Sequence, residues 1–340
     1  MTQNQPQPDP EHAHLPQRLE EKPALREELL ALWQTMRPHQ WVKNVFVLVP
    51  LIFAGPILRS QGMLGTLMVA RVVLAALCFC LASSATYVLN DLHDAEADRA
   101  HPIKRGRPIA SGVLPEPRAW QFLWSLLLLD AVLAVLIGWW IGAGPQTSTT
   151  HFGTGLAFCA TIATYFAQNV AYSKGLKKVA YVDAAIIASG FLLRVLAGSA
   201  AAGVEPSHWL LACTALLAMF LALGKRKHEV VTSDARHRAN LKVYRLSHLN
   251  AALAILAILT SAAYLSYTLD PVTIAHFHTS RLPWTTPFGV FGLWRFSRLL
   301  DARDTAHSPT ERMLHDGPFL ANLALGVLVV GLLIYGVIPG

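Results

Sequence analysis

Long apolar runs broken by short, strongly polar stretches make up most of this chain. Apolar segments fall near residues 45–58, 67–89, 120–141, 152–171, 179–200, 209–223, 249–269, 283–294 and 319–338. Several reach the roughly 20 residues that a helix needs to cross a bilayer. The pattern predicts an all-α, polytopic membrane protein with about nine transmembrane helices. The eighth segment is short and interrupted by Pro and Gly. Ahead of the first, residues 1–23 are rich in Pro, Gln and Glu and read as a disordered cytosolic tail. Between 24 and 36, Leu25, Leu29, Leu32 and Trp33 recur at helical spacing, as in an amphipathic helix lying on a membrane surface. Two regions follow: a cytosolic tail with its short helix (1–36) and a transmembrane domain (37–340).

Composition agrees with this class and charge orients it. The chain is 53% hydrophobic and 14% charged, with a mean hydropathy of +0.39, whereas a soluble domain carries about a quarter charged residues. Basic residues collect in alternate loops: Arg99, Lys104, Arg105 and Arg107, then Lys174, Lys177 and Lys178, then Lys225 to Arg245, then Arg298, Arg303 and Arg312. The opposite loops hold only Arg59 and Arg281, with Arg71 at the start of a span. That asymmetry places the N-terminus and the charged loops in the cytosol of a multi-pass protein of the inner (cytoplasmic) membrane. It also accounts for the net charge of +7 without nucleic-acid binding. Cys78, Cys80, Cys159 and Cys213 lie in apolar segments without zinc-site spacing, as helix-packing residues would. No cleavable signal peptide is expected, because the first apolar run begins far from the N-terminus.

The chemistry concentrates where the second span ends. Asn90, Asp91, Asp94 and Asp98 follow the apolar run directly, and i, i+3, i+7 spacing puts the three carboxylates on one face of a continuing helix. Stacked carboxylates repel unless a cation sits among them, and Mg²⁺ takes such oxygen ligands while sharing its shell with substrate phosphates. Lys104, Arg105 and Arg107 stand one loop away, where they would hold remaining phosphate charge. A solvated helix end followed by a positive-inside loop is the plainer alternative. His93 falls off the carboxylate face, and the fourteen histidines form no ligand array.

Three other stretches join this candidate. Arg37 to Asn44 is a basic-aromatic collar in which Trp41 and Lys43 also suit an interface belt. Tyr172 to Asp183, carrying Lys174, Lys177 and Lys178, links the fourth and fifth spans on the same side as the acids. Asp183 opens the fifth span and Arg194 lies about three turns deeper. Ionisable residues inside a membrane usually face a protein-lined cavity, and a structural Asp–Arg pair between helices is the alternative. Lys225, Arg226 and Lys227 end the sixth span, as a positive-inside loop or as a lid over an anionic substrate.

Asn90-Asp91-x-x-Asp94-x-x-x-Asp98 resembles the first Asp-rich motif of the UbiA superfamily of intramembrane prenyltransferases. The resemblance runs from about Arg37 to the C-terminus. It implies nine helices around a cavity open to lipid, with Mg²⁺ and a diphosphate on Asp91, Asp94 and Asp98. More narrowly, Arg37 to Asn44, His101 to Gly112 and Tyr172 to Lys177 look like the branch that transfers phosphoribose to decaprenyl phosphate for mycobacterial-type cell walls. That branch implies a transferase moving 5-phosphoribose from phosphoribosyl diphosphate to a polyprenyl phosphate.

The chain departs from the aromatic-prenylating members, which carry a second Asp-rich motif. Here the corresponding stretches hold Lys174, Lys177, Lys178 and Lys225, Arg226, Lys227, suiting two phosphorylated substrates of which metal chelates one. Under this reading Asn90 positions the acids and Lys43, Lys104, Arg105 and Arg107 contact phosphate. Arg37, Tyr172, Lys174, Lys177, Asp183, Arg194, Lys225 and Arg226 complete the substrate-binding set. The alternatives are an aromatic prenyltransferase using a prenyl diphosphate and a lipid-binding or transport protein. Chain length of the lipid is not legible, and a homo-oligomer is compatible with the sequence.

Overall fold

In a computed structural model the described residues are 25–54, 62–143, 155–232, 241, 243–301, 312–313 and 315–334. The tail at residues 1–23, Arg59, Arg236, Arg238, Lys242 and Arg303 lie outside them. Every regular element among them is helical. α1 (Leu25–Met36) leads into a 3₁₀ stretch (Pro38–Val47) and the short α2 (Val49–Phe53). Then come α3 (Met63–Arg99), α4 (Glu116–Ala143), α5 (Gly155–Lys174), α6 (Val182–Ala202) and α7 (His208–Val231). α8 (Leu246–Leu269), α9 (Pro271–Phe277), α10 (Thr286–Leu300) and α11 (Gly317–Ile334) complete the order. Six of these helices, α3, α4, α6, α7, α8 and α11, are long and apolar enough to cross a membrane. The protein is a multi-pass membrane protein.

Two expected spans take a different form. The described part of the apolar run at 45–58, residues 45–54, is a broken entry segment, not one helix. Arg37 sits in the left-handed region (φ 54) ahead of Pro38, and Pro50 opens the second short piece. A residue before proline is pushed out of the right-handed helical region, which explains why α1 cannot run on. The eighth segment starts as a 3₁₀ turn (Leu282–Thr285), and the 15 residues of α10 then rise only about 22 Å. A hydrocarbon core is about 30 Å thick. α5 is less apolar for another reason: it carries Gln168, Asn169, Ser173 and Lys174 toward the site end.

α6 is the centre of the bundle. Most of its side chains are Ala, Gly or Ser, and the helix is buried along nearly its whole length. Small residues let helix backbones approach closely where no hydrophobic driving force acts between helices in lipid. On one side α6 joins a core with Val47, Phe79, Phe158 and Ile162; on the other, Ala184 joins Phe220, Leu223, Leu249, Phe296 and Leu300. Of the two glycines of α6, Gly198 makes the close approach: a Cβ there would fall 2.0 Å from the Val47 carbonyl oxygen. That contact presses the entry segment onto α6 and so fixes the residues just before it, Arg37 to Asn44. Asp270 caps α9 through Val272 N–H (3.2 Å) and takes the Trp209 indole N–H (2.9 Å). Arg295 pairs with both oxygens of Asp316 (3.0 and 2.8 Å), which also caps α11 through Phe319 N–H (2.9 Å). The outward faces, including Leu128, Val135, Trp139, Ile258 and Val327, are exposed and apolar, as lipid contact requires.

Candidate active site

α3 does not stop where its apolar run stops. It continues to Arg99, so Asp91 and Asp98 share one face and are both buried. Buried carboxylates need cations or hydrogen bonds to remain charged. Arg37 Nη2 lies 2.5 Å from Asp91 Oδ1. Arg107 Nη1 bridges the two acids, 3.1 Å from Asp91 Oδ1 and 2.6 Å from Asp98 Oδ2. Lys177 Nζ pairs with Asp94 Oδ1, and the Ser173 hydroxyl donates to Asn90 Oδ1. Three cations from three separate segments thus cover three acids from one helix.

Each cation is placed by its own local structure. Arg37 occupies the turn out of α1, with its guanidinium 5.0 Å from the Tyr87 ring centroid. Its left-handed backbone costs about 1–2 kcal/mol for a residue with a Cβ, which the pair with Asp91 offsets. The turn is tied down by Trp41, whose indole N–H donates to Ser84 Oγ (3.0 Å), and by Ser84, whose hydroxyl donates to the Met36 carbonyl (3.2 Å). Arg107 is returned to α3 by a folded loop. His101 Nδ1 accepts from the Ile103 and Lys104 backbone N–H groups (3.2 and 3.4 Å), and Lys104–Gly106 forms a 3₁₀ turn. Ile109 and Leu114 then bury against Ala31, Ala95 and Ala119. Lys177 lies on the 3₁₀ turn Leu176–Lys178 after α5.

The donor set bears on a metal. Among the described residues no three His, Cys, Asp or Glu side chains converge into a cage, because i to i+7 covers about 10 Å of helix. Mg²⁺ does not need such a cage: it binds through one or two carboxylates and fills its shell with water and substrate phosphates. The Asp91, Asp94 and Asp98 oxygens, which face Arg37, Arg107 and Lys177, are donors of the kind such an ion takes.

A second charged cluster lies beside the first, at the start of α6. Arg226 is completely buried, with Nε 3.2 Å from Asp183 Oδ2 and Nη1 donating to Glu229 Oε2. Tyr244 donates its hydroxyl to Asp183 Oδ1 (2.6 Å) and accepts from the Tyr181 backbone N–H (2.7 Å). Burial, then the bond to Asp183, push the Tyr244 phenol up, so it stays protonated and donates. Tyr181 is held at φ 66, and its ring packs on Tyr244 at 4.7 Å. Asp183 therefore pairs with Arg226 of α7 and not with Arg194, which lies eleven residues along the same helix.

The remaining expected residues divide by position. Lys43, Lys104 and Tyr172 are half-buried, whereas Arg105, Lys174 and Lys225 are exposed. Arg226 is a buried tie between α6 and α7, placed away from open solvent. Arg194 is buried deeper in the bundle, bonded to Asn44, Gly190 and Tyr165. Tyr244 and Glu229 were not singled out by spacing. Tyr244 follows a polar loop, and nothing in its neighbourhood along the chain points to Asp183.

The chain matches the UbiA prenyltransferase family over residues 47–323. A Corynebacterium glutamicum protein named decaprenyl-phosphate phosphoribosyltransferase is 33% identical over 290 residues, covering 83% of this chain and 80% of its own. A protein of the same name from Mycolicibacterium smegmatis is 39% identical over 222 residues, 64% of each chain. A UbiA homolog from Archaeoglobus fulgidus, solved with DMAPP and Mg²⁺, superposes with a TM-score of 0.62 at 17% identity. That superposition covers 91% of this chain and 99% of the other, and at such identity it speaks for the fold alone.

Removing the Arg226 charge tests the buried cluster. Arg226→Gln removes the guanidinium shared by the buried Asp183 and the half-buried Glu229, a loss of about 3–5 kcal/mol. Tyr244→Phe removes one hydrogen bond to a charged acceptor, about 1.5–3 kcal/mol. Melting temperatures of the purified protein in detergent should fall in that order. An Arg226→Gln protein that melts with the wild type would mean that the cluster does not hold α6 to α7.

Proposed function

The chain belongs to the UbiA prenyltransferase family, and from that membership we propose that it transfers 5-phosphoribose from phosphoribosyl diphosphate to a polyprenyl phosphate, releasing diphosphate. The observation that carries the reading is the set of three basic side chains, Arg37, Arg107 and Lys177, gathered on the acids of α3. The relatives named decaprenyl-phosphate phosphoribosyltransferase support the same enzyme class and the same acceptor class. An aromatic acceptor would need no cations beyond those that serve the diphosphate.

Charge drives the cycle. With no substrate bound, the three cations and three carboxylates neutralise one another. A Mg²⁺ held by Asp91, Asp94 and Asp98 would supply Lewis-acid stabilisation of the diphosphate. Asn90 stays fixed by Ser173 and keeps the acidic turn in register. Arg107 and Lys177, freed from their carboxylates, turn to the phosphate oxygens and stabilise the charge that grows on the leaving diphosphate. The C1–O bond of the ribose breaks with its electron pair going to diphosphate, and C1 gains oxocarbenium character. An oxygen of the polyprenyl phosphate then bonds to C1. That oxygen is already anionic, so no side chain has to remove a proton. Lys104 and Arg105, on the 3₁₀ turn after α3, draw the anionic donor in, and Lys43, on the entry segment, is a further phosphate contact.

The orientation proposed is nine crossings with the N-terminus, the site loops and the acids facing the cytosol of the inner membrane. The broken entry segment, α5 and α10 are then the crossings beyond the six long apolar helices. The exposed Leu25, Leu29, Leu30 and Trp33 of α1 rest in the headgroup layer. The product fits an arabinose-donor precursor for cell-wall synthesis.

Turnover of labelled phosphoribosyl diphosphate into an organic-extractable lipid, by purified protein in detergent, tests the chemistry. Asp91→Asn and Asp94→Asn should abolish it, as should EDTA. Lys177→Gln should lower kcat/KM about tenfold to a hundredfold, the loss of one charge-assisted phosphate contact. Wild-type turnover in Lys177→Gln would remove the cation argument. For orientation, a cysteine replacing Gly106 in intact cells should react with a membrane-permeant maleimide and not with an impermeant one. Labelling by the impermeant reagent would reverse the topology.

A further inference from the structure

We propose that Arg194 is the receptor for the phosphate of the lipid acceptor, in an anion subsite inside the bundle beneath the aspartate face. The proposal rests on the transfer reaction above and assigns one of its two phosphate sites. Arg194 is only 5% exposed. Its Nε donates to Asn44 Oδ1 (2.8 Å), Nη1 to the Gly190 carbonyl (2.8 Å) and Nη2 to the Tyr165 hydroxyl (3.1 Å). All three acceptors are neutral. Phe79, Tyr165 and Phe191 surround the guanidinium at 5.5, 4.8 and 5.7 Å from their ring centroids.

Among the described residues this cation has no carboxylate partner. Asp183 is about 16 Å away along the same helix and is engaged by Arg226. Asp130, the other acid buried within the bundle, accepts from Cys78 Sγ (2.9 Å). Neutral acceptors hold a guanidinium in place without cancelling its charge, and an intramembrane cation of that kind marks a ligand path. A guanidinium has five N–H groups, and three are used here, so two remain to donate. A second unused donor borders the same spot: Gln168 Nε2 is buried without a hydrogen-bond partner, while its Oε1 accepts from Ser189 Oγ (2.8 Å). A Cβ on Gly190 would lie 3.4 Å from Arg194 Nη1 and 3.6 Å from Gln168 Nε2. Both donors therefore edge one small space, left open because residue 190 has no side chain.

Depth decides which phosphate belongs there. Asn44 also contacts Cys80 and Ser83 (3.2 and 3.4 Å), so Arg194 sits at their level. That is two turns or more, about 12 Å, below Asp91 toward the middle of the membrane. Tyr87 lies between the two levels, under Arg37. The donor is soluble throughout and meets the rim cations first. A polyprenyl phosphate carries an apolar chain that seats in the bundle and brings its headgroup to this depth.

The assay uses the full chain in detergent, with labelled phosphoribosyl diphosphate as donor and farnesyl phosphate as acceptor probe. Arg194→Gln should raise the acceptor KM about tenfold to a hundredfold, leave the donor KM unchanged, and be partly rescued in Arg194→Lys. Farnesyl phosphate alone should raise the melting temperature of the wild type, farnesol should not, and Arg194→Gln should lose the shift. If Arg194→Gln does not fold, Gln168→Leu and Gly190→Ala keep the charge, and each should raise the acceptor KM. A raised donor KM would assign the anion to the donor. Unchanged acceptor KM values with a lowered melting temperature would make Arg194 a structural pin. Either result overturns the proposal. Absence of turnover in the wild type would sink the transferase reading, and the farnesyl phosphate shift would still decide the subsite.

Discussion

Buried carboxylates at the end of a membrane helix stay ionised only if cations or hydrogen bonds reach them, and that requirement organises the site end of this protein. Asp91 and Asp98 are buried on one face of α3, where self-repulsion and lost hydration act together. Arg37, Arg107 and Lys177 answer it from the turn after α1, the loop after α3 and the turn after α5. Each of these segments is irregular, and the ion pairs add to the hydrogen bonds and packing that hold it. In the reaction proposed above, the same cations then become available to phosphate.

Backbone strain falls where this arrangement needs it. Among the described residues three non-glycine positions have positive φ, and two of them, Arg37 and Tyr181, flank site loops. Tyr181 is pinned by Tyr244, which also holds Asp183, which in turn meets Arg226. The turn that carries Lys177 and the start of α8 are therefore joined through one buried cluster. α6 connects the levels: Asp183 in its first turn, Arg194 in the middle, and Gly198 against Val47 further on.

The membrane class was legible because lipid imposes long apolar helices, and composition reports that directly. The acid face was legible because helical spacing fixes which side chains share a side. The entry segment was not, since its apolar run conceals the turn at Arg37 and the break before Pro50. Pairing was also hidden. Asp183 and Arg194 are close in sequence, yet one helix keeps them three turns apart, and Arg226 arrives from α7. A basic run at a helix end reads the same whether its members are solvated or buried. Lys225 is exposed and Arg226, the next residue, is wholly buried. Tyr244 left no signal, because a tyrosine after a polar loop is commonplace and its partner comes from a distant part of the chain.

We propose that the cations paired with the α3 carboxylates are placeholders that move to substrate. A structure of the protein with phosphoribosyl diphosphate and Mg²⁺ measures this directly. Arg107 and Lys177 should leave Asp98 and Asp94 and come within hydrogen-bond distance of phosphate oxygens, with the carboxylates facing the metal. If both pairs persist unchanged while the diphosphate binds elsewhere, the cations are fixed structural partners of the acids and not placeholders.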